Sequence, residues 1–121
     1  MLKMLIAIDS DIFINELECD FCEQYEIHTC KRGNDALQIL QKYHPDILII
    51  DLSLPDIPGL AVLQQAEFMP PIIIALTNYL SDRIVREAQA AGVKALIRIP
   101  CTLKCIKEHL IALNNKLPSQ D

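Results

Sequence analysis

Apolar residues in this chain fall into short unbroken runs, separated by longer stretches in which they recur every three or four positions. Residues 4–8 form the first run, and Asp9 ends it. Residues 11–24 follow with helical spacing, and residues 26–30 carry an extended pattern through Ile27 and Thr29. In residues 33–44, Ala36, Leu37, Leu40 and Tyr43 return at three- and four-residue steps, the period of one helix face. Asn34 is a favourable cap for the start of that helix. Residues 46–50 are nearly all aliphatic, and Asp51 ends the run. Alternation is needed only where one face of a strand meets water, so this run suits a parallel strand covered on both faces.

The second half repeats the alternation. Residues 52–58 read as a loop carrying Pro55 and Pro58, and Gly59 opens a helix through about residue 68. Residues 71–76 are another aliphatic strand. Ser81 or Asp82 caps a helix to Ala91, and Gly92 is a helix-stop residue. Residues 95–99 form a last strand. Residues 103–113 form a last helix, with Leu103, Ile106, Leu110 and Leu113 on one face. Five strands and five helices in strict alternation predict an α/β fold, a doubly wound five-stranded parallel sheet in the flavodoxin-like order 2-1-3-4-5.

That topology predicts where a site belongs. It lies outside the carboxyl ends of the strands, at the switch point between the first and third. The residues at those ends are Asp9 and Asp51, and the fourth strand ends at Thr77. One polar residue after a strand means little, because the chain is leaving the core. Two acids on adjacent strands with a threonine on the next one point to a site.

Composition narrows the class. The chain has 121 residues, the size of one domain, expected over residues 1–115 with a tail or linker start at 116–121. It is 51% hydrophobic and 22% charged, which supports a packed core. Acidic residues outnumber basic ones, 16 to 11, which argues against nucleic-acid binding by this domain. The run at residues 4–8 is too short for a membrane span or a signal segment, so a cytoplasmic protein is expected. The five cysteines are odd in number, and in a reducing compartment they are free thiols. Cys19 and Cys22 have the spacing of half a zinc site, and Cys101 and Cys105 share a helix face, but neither pair has histidines at ligand spacing.

These residues resemble the receiver domain of two-component response regulators (the CheY-like family). The likeness rests on Asp46-Ile-Leu-Ile-Ile-Asp51-Leu-Ser-Leu-Pro55 followed by Pro58-Gly59-Leu60, on Pro71-Ile-Ile-Ile-Ala-Leu-Thr77, and on Ala90-Ala91-Gly92 with Pro100. The resemblance implies that Asp51 is the phospho-acceptor and that Thr77 is the switch hydroxyl. It also implies a Mg²⁺ held by Asp9, Asp51 and the backbone carbonyl of Ser53. A cis Ile99–Pro100 bond is expected on the same ground. Such a site needs a cation because a carboxylate attacking a phosphoryl group brings anion to anion.

Three positions depart from the family pattern. Ser10 stands where the second acid belongs, Ile99 where the lysine belongs, and Leu96 where the aromatic switch residue belongs. One ammonium about 4 Å from a phosphoryl oxygen is worth roughly 4 kcal/mol at an effective dielectric near 20. The expectation is therefore an atypical receiver with weak Mg²⁺ binding, weak or absent phosphorylation, no enzyme activity, and signalling through protein contacts. One alternative is an ordinary phosphorylatable receiver that uses Asp11 or Arg98 as substitutes. Another is a haloacid-dehalogenase-like phosphatase, with Asp9 as nucleophile and Asp11 as acid/base. By resemblance the partners are a histidine kinase or another signalling protein, a second copy through the fourth helix, fifth strand and fifth helix, and an output domain in a longer parent. That face includes Arg83, Arg86, Glu87, Lys104, Lys107 and Glu108.

Overall fold

The computed structural model describes residues 1–114, so the expected tail at 116–121 lies outside the described residues. Within them the elements run β1 (Leu2–Ala7), α1 (Asp11–Phe21), β2 (Tyr25–Cys30), α2 (Gly33–Tyr43), β3 (Ile47–Asp51), α3 (Gly59–Gln65), β4 (Ile72–Thr77), α4 (Asp82–Ala90), β5 (Ala95–Arg98) and α5 (Leu103–Asn114). The five strands form one sheet in the order β2-β1-β3-β4-β5. Every pairing is parallel. The predicted order and element count therefore hold.

The sheet separates two apolar layers, and strand alternation decides which residue joins which. Met4, Ile6, Ile47, Ile49, Ile72, Ile74 and Leu76 face α1 and α5, where Leu17, Phe21, Ile106 and Leu110 cover them. Leu5, Ala7, Leu48, Ile50, Ile73 and Ala75 face the other way, against Ala36, Leu40, Val62, Leu63 and Ala88 of α2, α3 and α4. Ile47–Ile50 are wholly buried. Their side chains go alternately to the two layers, which is why the run shows no polar alternation.

Element ends differ from the sequence expectation where long-range contacts set them. β1 starts earlier because Leu2 pairs with Tyr25. α1 stops at Phe21, not at 24, so that β2 can begin at Tyr25. α3 stops at Gln65, because Ala66 turns extended (ψ 130°) on the way to Pro70 and Pro71. Proline disfavours a helical conformation for the residue before it, so a helix here would have to end before Met69 in any case. α4 is capped by Ser81, whose hydroxyl accepts the Ile84 N–H at 3.2 Å, and Gly92 after it takes φ 94°. Asn34 does not cap α2. The N-cap is Arg32, which makes no side-chain bond, and two of the free N–H groups, those of Gly33 and Asn34, are taken up by Asp56.

Candidate functional site

Parallel register brings the strand ends together. Ala7 of β1 lies opposite Ile50 of β3, and Asp51 lies opposite Leu76 of β4. Thr77 lies opposite Arg98 of β5, and the Ile99 N–H donates to the Thr77 carbonyl at 2.8 Å. Asp9, Asp51, Thr77 and Ile99 thus stand along the carboxyl end of the sheet, each at or just past the end of its strand.

Asp51 is half-buried, and its Oδ1 accepts the Ser53 N–H at 2.8 Å. This closed turn fixes the carboxylate relative to the loop that follows it. Gly59 lies against the same backbone. A Cβ there would come 2.6 Å from the Asp51 carbonyl oxygen and 2.8 Å from the Leu52 Cα, so only glycine fits. Asp9 is exposed. Thr77 is 3% exposed, and its hydroxyl donates to the Tyr79 carbonyl (2.9 Å) and accepts the Tyr79 N–H (3.2 Å).

Ser10, Asp11, Leu96, Arg98 and Ile99 each have other contacts or a different face. The Ser10 hydroxyl caps α1 by accepting the Phe13 N–H at 3.3 Å. Asp11 pairs with Lys31 in the turn after β2, and both side chains are largely exposed. Ile99 packs against the layer under α1 and α5, while Leu96 packs against the opposite layer. Arg98 is exposed, and alternation puts it on the Leu96 face rather than with Ile97 and Ile99. Ile99–Pro100 is cis, as expected.

Asp56 escaped the sequence reading. Its Oδ1 accepts the Gly33 N–H at 2.7 Å, and its Oδ2 accepts the Asn34 N–H at 2.9 Å. The bond from Asn34, with that from Gly33, draws the Asp56 carboxyl down to a pKa of about 2. The only hint in the sequence was an acid after a loop proline. Its partners lie 22 and 23 residues away, beyond any local pattern. Cys30, at the end of β2, is pushed up to about 11, chiefly by burial and then by Asp35. All five cysteines are free thiols.

Among the described residues no three His, Cys, Asp or Glu side chains gather as a metal-ligating group. Mg²⁺ is commonly held by one or two carboxylates and keeps several waters. Asp9 and Asp51 provide such a pair at neighbouring strand ends, and this donor set fits a largely hydrated ion.

A doubly wound sheet with acids at its switch point defines a class of fold and a place for the site. The relatives define the family. Residues 5–111 match the response regulator receiver domain family, and the chain belongs to it. The transcriptional regulatory protein YhcZ of Bacillus subtilis is 31% identical over 99 residues, 78% of this chain and 46% of that protein. The polar-differentiation response regulator DivK of Brucella ovis is 28% identical over 120 residues, 91% of this chain and 98% of its own length. The chemotaxis protein CheY4 of Vibrio cholerae superposes with a TM-score of 0.81 at 25% identity, covering 93% of this chain and 98% of that one. The chain spans about half the length of the first curated relatives it matches. Receiver domains are signalling modules of two-component systems, work with histidine kinases and output domains, and typically bind Mg²⁺ at the acidic site. No helix among the described residues is long and apolar enough to cross a membrane.

Proposed function

We propose that this chain is an atypical, non-enzymatic receiver that signals mainly through protein contacts, with weak or absent Mg²⁺-dependent phosphorylation at Asp51. The observation that carries this reading is the role of the two helper positions. Ser10 is spent on capping α1, and Ile99 is packed on the core, so neither offers a charge to the site. The two substitutes weighed from the sequence are also drawn away, Asp11 to Lys31 and Arg98 to the other face of β5. The family match favours this reading over a haloacid-dehalogenase-like phosphatase.

Mg²⁺ would be held by Asp9, Asp51 and the Ser53 carbonyl, and when bound would offset the repulsion between carboxylate and phosphoryl group. Asp51 would be the acceptor. Thr77 would sense the phosphoryl group by giving up its bonds to Tyr79, a change that couples the site to the loop before α4. Exposed apolar side chains follow directly on that loop and helix: Tyr79 (65% exposed), Leu80 (41%) and Val85 (37%). They support a contact surface for a kinase, a second copy through α4, β5 and α5, or an output domain of a longer cytoplasmic parent.

The test is treatment with acetyl phosphate, or with beryllofluoride and Mg²⁺, followed by intact mass and NMR spectra. Only a minor fraction of the unaltered protein should respond. Ser10→Asp with Ile99→Lys should raise that fraction severalfold, since aspartate also caps helices well. Stoichiometric modification of the unaltered protein, lost in Asp51→Asn, would overturn the proposal.

A further inference from the structure

We infer that Asp56 is a positioning residue of the acidic site, holding the loop that carries Ser53 by anchoring it to the start of α2. The inference rests on the reading that the site is at Asp51, but not on phosphorylation there.

Residues 52–58 are connected to Asp51 in two ways near it. The Ser53 N–H donates to the Asp51 carboxylate, and Gly59 lies against the Asp51 backbone with its N–H donating to the Leu52 carbonyl at 3.0 Å. Farther out, Leu54 is buried in the apolar layer and Ile57 packs against it, but neither fixes the polar backbone of the loop. Asp56 supplies a directional, polar hold through its two short bonds to Gly33 and Asn34. The first N–H groups of a helix lack partners within the helix, and the N-cap Arg32 offers α2 no side-chain bond. The carboxylate also lies at the positive end of an 11-residue helix.

A second contact joins the same two segments. A Cβ on Gly33 would run into the Ile57 side chain of the loop and come 2.9 Å from Val62 Cγ2 on α3, so the helix start packs directly on the loop. A serine or aspartate at position 32 would have capped α2 locally. The chain instead draws the cap from a residue five positions beyond Asp51. One carboxylate therefore serves both the helix and the site loop, and that pairing separates a positioning role from helix capping alone.

The experiment uses Asp56→Ala, Asp56→Asn and the double variant Asp56→Ala/Arg32→Ser, without metal or phosphodonor. Solvent exchange of the Ser53 amide, followed by NMR, reads the site loop. The thermal midpoint reads the helix. Asp56→Ala should speed Ser53 exchange by about tenfold, the effect of one weakened hydrogen bond, and lower the midpoint. Asp56→Asn keeps a carbonyl acceptor and should retain part of both. The serine cap should return the midpoint toward that of the unaltered protein while Ser53 exchange stays fast. Unchanged Ser53 exchange in Asp56→Ala, or its return with the serine cap, would overturn the inference. Asp56→Asn gives the same Ser53 comparison if Asp56→Ala does not fold. Phosphorylation is scored separately by mass at Asp51, so failure of that reading leaves this one standing or falling by itself.

Discussion

Three aspartates lie in or beside the acidic site, and their surroundings give them different tasks. Asp51 is half-buried and bound to the turn that follows it. Asp9 is exposed beside it, while Asp11 is drawn off by Lys31. A fourth, Asp56, belongs to α2 as much as to its own loop. Its depressed pKa has a stability consequence with a definite sign. The unfolded chain takes up the proton near the ordinary value of 3.8, the folded protein only near about 2. Its contribution is thus fully present at neutral pH, begins to fall below about pH 4, and is lost as pH drops through about 2. Urea midpoints measured from pH 5 to pH 2 should fall more steeply for the unaltered protein than for Asp56→Asn. Parallel curves would contradict the assignment.

At the scale of elements, the helices are started by polar groups and stopped by geometry. Ser10 and Ser81 cap α1 and α4 from the position just before each helix, as a local pattern can. α2 takes its cap from the loop after β3. α3 begins at Gly59, where backbone approaches backbone and cannot yield. Gly59→Ala should therefore destabilise the protein by about 1–3 kcal/mol, the range for forcing atoms into a packed site. Chemical denaturation measures the loss, and the largest NMR shifts should fall at Asp51 and Leu52, whose atoms the new methyl meets first.

Over the whole molecule, one sheet serves two cores. Ile49 and Ile50 are adjacent in sequence, equally buried, and point into opposite layers. β3 is central and sends alternate side chains into both layers, so the two layers are expected to loosen together. Ile49→Ala and Ile50→Ala should each cost about 2–5 kcal/mol. Each should leave a single unfolding transition, superimposable by far-UV circular dichroism and tyrosine fluorescence. Separate transitions for the two probes would show that the layers unfold independently. The ion pair of Lys107 on α5 with Asp20 on α1 (2.8 Å) ties two helices of the same layer, but both groups are partly exposed and it adds little.

Strand and helix order, sheet topology and the place of Asp9, Asp51 and Thr77 were all legible in the sequence. The reason is that each follows from periodicity: runs buried on both faces, helix faces at three- and four-residue steps, and polar residues where strands leave the core. That positions 10 and 99 carry Ser10 and Ile99 is plain in the sequence, and it is the family resemblance that implies charged groups there. What tertiary structure alone decided is where side chains without a local partner go. Asp11 turns to Lys31, and Asp56 reaches across to Gly33 and Asn34. Asn34, which local propensity marked as the cap of α2, was displaced by that carboxylate. Local preference is worth about 1 kcal/mol, and a charge-assisted pair of bonds from a loop packed against the helix start outweighs it.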